Sequence, residues 1–434
     1  MRTFIVLWLG QLVSSIGSSM TYFALTLWVW ERTQSTTAIA LILVFYQLPQ
    51  VAITLVSGLL VDRVSRKYLL MISDTASACC TLSVGILAAT QTLQIWHIYC
   101  IAAIIGCFGN IQSLTYSTLI PLLVPDQYHS RASSMAAMVS YAAGIVAPAF
   151  AGVLYPKLGL WGITLIDMGT FAIATVSLLI LPIPQMQQLD SSETVKHIRQ
   201  IWREATFGFR YIAAQPSLLS MVMAMSLFGF LNQMGETLYQ PMILARTGGD
   251  GQILGMVVAA SGVGGVMGAI ALSLWSGFRR RATGLLFGFI GTGLSRLMLG
   301  LGTLPLVWAM AQFGTSLHSP LIFSSYMAVW YAKIAPTLQG RVLAADHLIG
   351  IVIEALAGLS AGVLADQVFE PAMQSGKGFT LPLSAIVGTG RGSGIALLYI
   401  LIAITTVLLG TGGFAIGRLR EVEDTMPHGS DYKE

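Results

Sequence analysis

The sequence predicts an all-α integral membrane protein with twelve transmembrane helices in two six-helix halves. Three observations predict it. Of 434 residues, 55% are hydrophobic and 10% charged, with a mean hydropathy of +0.74, whereas a soluble domain carries about 25% charged residues. Twelve apolar runs are long enough to span a bilayer. The Lys and Arg residues fall on alternate sides of those runs.

A hydrocarbon core of about 30 Å takes roughly 20 residues of helix. The runs are 4–30, 38–60, 68–90, 95–121, 132–155, 161–181, 218–244, 252–275, 282–301, 304–330, 341–365 and 393–417. Their length argues for helices, since barrel strands alternate over about ten residues. The first run is too long for a signal-peptide core and has no small-residue cleavage site, so it reads as a retained span.

Charge then gives sidedness. One side takes Arg2, Arg63, Arg66, Lys67, Arg131, the basic residues of 196–210, Arg279–Arg281, Lys333, Arg341 and those of the tail. The other takes Arg32, Lys157, Arg246, Lys377 and Arg391, while Arg296 lies inside a span. Positive loops stay cytoplasmic, which puts both termini inside and the chain in a plasma (inner) membrane.

The organisation follows. Residues 1–181 form the N-terminal half. Residues 182–217 form a polar cytoplasmic linker that opens with Pro182 and Pro184 and carries an amphipathic helix over 193–212. Residues 218–417 form the C-terminal half, and 418–434 a cytoplasmic tail. A trace of duplication relates the halves. Arg131 and Arg341 each open a span after a Pro-containing loop (Pro125, Pro336). Ala151-Gly152-Val153-Leu154 matches Ala361-Gly362-Val363-Leu364 at the same offset of 210. Gly58–Lys67 has a faded counterpart at Gly277–Arg281. Six-plus-six repeats are the plan of secondary transporters whose site lies at the repeat interface.

Other chemistries find no foothold. Cys79, Cys80, Cys100 and Cys107 sit in apolar segments without zinc or redox spacing and read as small core residues. Gly262, Gly264, Gly265 and Gly268 lie inside an apolar span with no preceding strand, so they read as helix packing and not as a dinucleotide loop. There is no phosphate-binding G-x-x-x-x-G-K-[ST], no catalytic triad spacing and no metal motif. The expectation is a non-enzyme without cofactor, powered by a proton gradient, with no nucleic-acid partner and acting as a monomer.

Two motifs carry a resemblance. Gly58-Leu59-Leu60-Val61-Asp62-Arg63-Val64-Ser65-Arg66-Lys67 follows G-x-L-x-D-R-x-x-R-K, the signature loop between the second and third helices of major facilitator superfamily transporters. Gly144-Ile145-Val146-Ala147-Pro148-Ala149-Phe150-Ala151-Gly152 resembles the superfamily's antiporter motif G-x-x-x-G-P-x-x-G-G, with Ala147 and Ala151 replacing two glycines. With Trp8-Leu9-Gly10-Gln11, Ser14, Gly17-Ser18, Phe369-Glu370-Pro371 and the long outer loop 366–392, the chain looks like the drug:proton antiporter-3 group, which includes macrolide efflux proteins. The resemblance implies a cytoplasmic gate of Gly58, Asp62, Arg63, Arg66, Lys67 and Asp126. In it Asp62 complements the start of the eleventh helix and Arg66 reaches Asp126. Ser65 stands where the family usually has Gly.

Ionisable residues inside a membrane are costly and mark function. Depth along the spans and the family's arrangement of cavity-lining helices give Glu354, then Glu236, with Asp167 as the third proton-coupling candidate. Asp167 and Arg296 would lie on peripheral helices, a structural placement. Asp74, Asp346 and His347 count as boundary residues. Gln11, Ser14, Asn110, Gln112, Asn232, Gln233 and His318 are the candidates for the substrate cavity. Few fixed charges among many amides and aromatics suit a neutral or cationic amphipathic substrate. The expected function is proton-coupled export of a small amphipathic drug, antibiotic or secondary metabolite. An importer or lipid flippase on the same fold, or a non-transporting membrane sensor, are the alternatives.

Overall fold

The computed structural model describes residues 2–181, 207–275, 277–375, 384 and 387–417. Within these, the side chains at 2, 54–59, 61–63, 121, 122, 126, 130, 137, 336 and 337 are not described. Gly58, Asp62, Arg63 and Asp126 of the expected gate therefore lie outside the described side chains, as do 182–206 of the linker and the tail 418–434 outside the described residues.

The described chain is helical throughout. Helix α1 runs Arg2–Thr33 and α2 Thr36–Arg63. Ser35 starts α2 by accepting the Ala38 N–H at 3.1 Å, which satisfies one of the donors a helix start leaves open. Helix α3 spans Arg66–Ala89 and is capped by Ser65, whose Oγ accepts from Tyr68 N at 3.3 Å. Ser65 has φ −57. The turn therefore needs no left-handed residue, and serine in place of glycine gains a cap.

Helix α4 covers Ile95–Leu123. The next run, His129–Ile180, holds 52 residues, far beyond one bilayer crossing, and is broken at Gly159 (φ 63, ψ −173). Only glycine takes that conformation freely. Pro156 just upstream removes a further helix hydrogen bond. The run therefore counts as two spans, α5 (129–158) and α6 (160–180).

The second half begins with a short helix at 207–214. Then follow α7 (Pro216–Thr247), α8 (Gly251–Trp275), α9 (Arg281–Leu301) and α10 (Pro305–Lys333). Asp250 caps α8 by accepting from Gln252 N at 2.8 Å and Ile253 N at 3.1 Å. Helix α11 runs Pro336–Leu364, and α12 runs Ser393–Gly413. The segment expected as a long loop after α11 instead continues as a π-turn, Ala365–Phe369, and a short helix, Glu370–Ser375. Its purpose is visible at the next helix. Glu370 Oε1 accepts from Gly392 N at 2.7 Å, and Oε2 from Gly394 N at 3.0 Å and Ile395 N at 3.3 Å. A carboxylate thus caps the positive start of α12.

Ten helical runs among the described residues are long and apolar enough to cross a membrane. Arg131–Ile180 is one of them, with 50 residues, and supplies two crossings. With α10, of 29 residues, the count is twelve. Large apolar side chains such as Leu274, Ile180 and Phe323 remain exposed along these helices, as a lipid-facing surface requires.

By contacts the chain divides into two compact units. The first is Met1–Val195 with Thr247–Ala259, and the second is Lys196–Arg246 with Ala260–Glu434. In the first, α1 lies along α5 and α6, and α4 packs on α2 and α3. Leu7, Leu70, Leu119 and Leu178 meet in a fully buried cluster that joins α1, α3, α4 and α6. In the second, α9 packs between α10 and α12, with Phe228 and Phe289 stacked at 4.1 Å. The glycines of α8 serve close approach. A Cβ on Gly264 would collide with Phe313 O, and one on Gly268 with Leu317 O, so α8 and α10 touch backbone to backbone. Of the cysteines, Cys80 is buried, but Cys79 and Cys100 are exposed on the helix surface instead of in a core.

Candidate transport cavity

Helix α1 presents Gln11, Ser14, Ser15, Ser18, Ser19 and Tyr22 along one stripe, the spacing of a single helix face. That stripe forms one wall of a cavity of about 440 Å³ inside the first unit. The other walls come from α2 (Ile42, Leu43, Tyr46), α3 (Asp74, Ser77, Ala78, Thr81), α4 (including Ile101, Ile105 and Gln112) and α6 (Asp167, Met168, Phe171). The volume falls in the range of small-molecule pockets.

Two carboxylates face this space. Asp74 is 5% exposed and is held by two amides. Gln11 Nε2 donates to its Oδ2 at 3.3 Å, and Gln112 Nε2 donates to its Oδ1 and, at 3.2 Å, to Gln11 Oε1. Asp167 is 2% exposed and is held by three hydroxyls. Ser18 Oγ donates to Oδ1 at 3.1 Å, while Thr21 and Thr81 each donate to Oδ2 at 3.0 Å. The same register links the two nodes twice. Gln11 and Ser18 are seven residues apart on α1, and so are Asp74 and Thr81 on α3. At 1.5 Å per residue the nodes stand about 10 Å apart along the helices. Among the described lining residues there is no Lys, Arg or His.

Depth along the apolar run makes Asp74 a boundary residue, whereas the structure buries it. Helix α3 starts at Arg66, which puts Asp74 about 12 Å along the axis. The signal that could have found it is the shared heptad spacing of polar residues on α1 and α3.

The remaining candidates are distributed as follows. Gln11, Ser14, Gln112 and Asp167 come together in the cavity; Asn110, half-buried on α4, does not line it. In the second unit Arg296 is fully buried. Its Nη2 donates to Asn232 Oδ1 at 2.9 Å and to Glu236 Oε1 at 2.8 Å, and Nη1 to Leu231 O at 3.1 Å. The ion-pair partner of Arg296 is therefore Glu236 of α7. Glu354 and Gln233 are half-buried on α11 and α7. His318 Nδ1 lies 2.6 Å from Gly314 O, with its ring packed over Gly291. Tyr326, on α10, donates to Asp346 Oδ1 at 2.7 Å.

Lys67 of the expected gate ties two helices of one unit. Its Nζ donates to Leu179 O at 3.0 Å and Leu181 O at 2.9 Å, a cation at the carbonyl end of α6. In the Pro148 motif, Ala147 and Ala151 are fully buried. A Cβ on Gly152 would fall 2.5 Å from Gly251 O, and one on Gly255 2.5 Å from Pro148 O. The small residues thus let α5 meet the start of α8, which is why that start clusters with the first unit.

Among the described residues, ten helical runs long and apolar enough to cross a membrane, in two compact units, mark a multi-pass membrane protein. The comparisons place it further. Residues 7–345 match the family model of the Major Facilitator Superfamily, and the chain belongs to that superfamily. Macrolide efflux protein A of Streptococcus pyogenes is 23% identical over 371 residues, covering 83% of this chain and 90% of that one. The multidrug efflux pump Tap of Mycolicibacterium fortuitum is 22% identical over 421 residues, covering 95% of each. Among solved structures, a bacterial homolog of the human lysosomal transporter Spinster, in an inward-facing and unoccupied conformation, superposes with a TM-score of 0.63 at 15% identity, covering 98% and 97% of the two chains.

Proposed function

We propose that the protein exports a small amphipathic compound across a plasma membrane in exchange for protons, as a monomer with both termini cytoplasmic. The observation that carries this reading is the cavity in the first unit: apolar and aromatic walls, many hydroxyls and amides, and two buried carboxylates without a cation among the described lining residues. A carboxylate is the side chain that can gain and lose charge in such a place, and intramembrane carboxylates mark proton relays. The efflux names of the two similar chains support the outward direction. The Pro148 motif, which resembles the antiporter pattern, supports exchange. Alternating access of the superfamily fold then delivers the cavity to each side in turn.

The test is gradient-driven uptake of a panel of amphipathic dyes into inverted membrane vesicles. Acidifying the vesicle interior drives accumulation of at least one dye, and a protonophore abolishes it. Dye accumulation in intact cells driven by an inward proton gradient would overturn export and favour an importer. Glu354→Gln and Asp74→Asn separate the coupling candidates in the same assay: the variant that loses gradient dependence while still inserting and folding identifies the proton carrier.

A further inference from the structure

We propose that the turn between α8 and α9, with Arg279, Arg280 and Arg281, is a binding patch for anionic phospholipid headgroups at the membrane edge of the second unit. The patch is independent of the export reading. It needs neither gradient nor transport, and it holds for either orientation of the chain.

The chain builds this patch from a sharp turn. Helix α8 ends at Trp275, and Gly277, with φ 77, reverses the backbone in a conformation that glycine takes freely. Phe278 then folds back edge-on against Trp275, with 4.7 Å between ring centroids. Arg279, Arg280 and Arg281 follow, all exposed, and α9 starts at Arg281. Beside them runs a ladder of rings. Phe278 stacks on Phe287 of α9 at 5.1 Å, and Phe287 meets Phe414, just past the end of α12, at 5.7 Å. Phe287 stands six residues beyond Arg281, about 9 Å along the helix axis. Leu274 is 84% exposed and Trp275 56%, so the ladder opens to whatever surrounds the helices. Indole and apolar surface directly beside cations is the profile of the headgroup level, with acyl chains on one side and phosphates on the other.

Charge identifies the occupant. Helices α8, α9, α10 and α12 contain no Asp or Glu, so no carboxylate on them offsets the three arginines. The arginines also stand at the positive start of α9, whose first turn holds no acidic residue, a placement that the helix dipole disfavours. A phosphodiester supplies the missing charge and accepts two N–H bonds from one guanidinium fork. A zwitterionic lipid brings an ammonium with its phosphate, so a net anionic headgroup fits better.

The matching loop of the first half is used differently. There Lys67 donates to the carbonyls of Leu179 and Leu181 at the end of α6, whereas Arg279, Arg280 and Arg281 stay exposed. The chain itself offers one rival anion, Glu421, Glu423 and Asp424 beyond α12. It is the weaker counter-charge. Arg418 and Arg420 precede those acids, so 418–424 carries a net charge of only −1.

The experiment uses the full-length protein in phosphatidylcholine nanodiscs that contain a minority of brominated lipid, either phosphatidylglycerol or phosphatidylcholine. Bromine quenches tryptophan on contact, and the difference between wild type and Trp275→Phe isolates the signal of Trp275. Brominated phosphatidylglycerol should quench Trp275 about two- to fivefold more than brominated phosphatidylcholine, the enrichment that one surface cation's attraction brings. High salt should shrink that excess. Arg279→Gln, Arg280→Gln and Arg281→Gln together should abolish it; all three side chains are exposed, so the melting temperature should hold. Equal quenching of wild type by the two lipids overturns the proposal. So does an excess that survives in the triple variant or ignores salt. An excess that appears only after removal of 418–434 also overturns it and gives the patch to the tail, whereas an excess unchanged by that removal supports the lipid.

Discussion

Asp74 and Asp167 differ in the chemistry of their partners: amides around the first, hydroxyls around the second. That difference separates a group that can change state from one that fastens helices. Asp167→Asn keeps the shape but turns one carboxylate oxygen into a donor facing a hydroxyl cluster. We expect a stability loss of about 1–3 kcal/mol, read as a lower melting temperature in detergent and partly recovered with Thr81→Val. Arg296 gives the second residue-level expectation. It is fully buried and paired with the half-exposed Glu236, so Glu236→Gln leaves a buried cation on neutral acceptors alone. The protein should melt lower, while gradient-driven dye uptake is retained. Loss of uptake without loss of stability would instead place Glu236 in transport. The sequence pointed to Glu236, Arg296 and Asp167 because ionisable residues stand out in apolar runs. It could not pair them, because pairing depends on which face each helix turns inward.

At the scale of elements, run length and charge located the helices well. The basic loop at Arg63–Lys67 and the long runs around it became α2 and α3, and the fifth and sixth runs became α5 and α6. What hid was continuity. Gly159 alone separates two spans within one 52-residue helical run, and the segment after α11 stays helical where polar residues suggested a loop. Local composition is blind to a partner: Glu370 is a loop residue by type and a helix cap by contact. Gly159→Ala tests the break. A side chain in this nearly glycine-only conformation costs about 1–3 kcal/mol, so the variant should lower both yield and melting temperature. Pro148→Ala tests the motif differently. It restores a helix hydrogen bond, so we expect unchanged or higher stability with slower gradient-driven exchange.

For the molecule as a whole, the 210-residue offset seen in Ala151 and Ala361 extends to Ala147 and Ala357. All four are fully buried. The duplicated stripe on α5 and α11 is therefore buried in both halves. The described cavity with its two carboxylates lies in the first unit, while in the second unit the buried Arg296 is paired with Glu236. Sidedness is testable at this scale. An impermeant thiol reagent applied to intact cells should label Asp250→Cys, at the turn before α8, and spare Phe278→Cys, at the turn after it, in a background lacking the native cysteines. The reverse pattern would invert the proposed orientation.

The Glu370 cap has a consequence for how the chain is made. Its carboxylate reaches forward to the amides of Gly392, Gly394 and Ile395, so the start of α12 has no matching cap in its own immediate sequence. Glu370 emerges before α12 in a chain made from N- to C-terminus, so these amides stay unsatisfied only until the segment after α11 is in place against them. Completion of the last helix is thereby tied to correct delivery of the one before it, a built-in order of assembly at the end of synthesis.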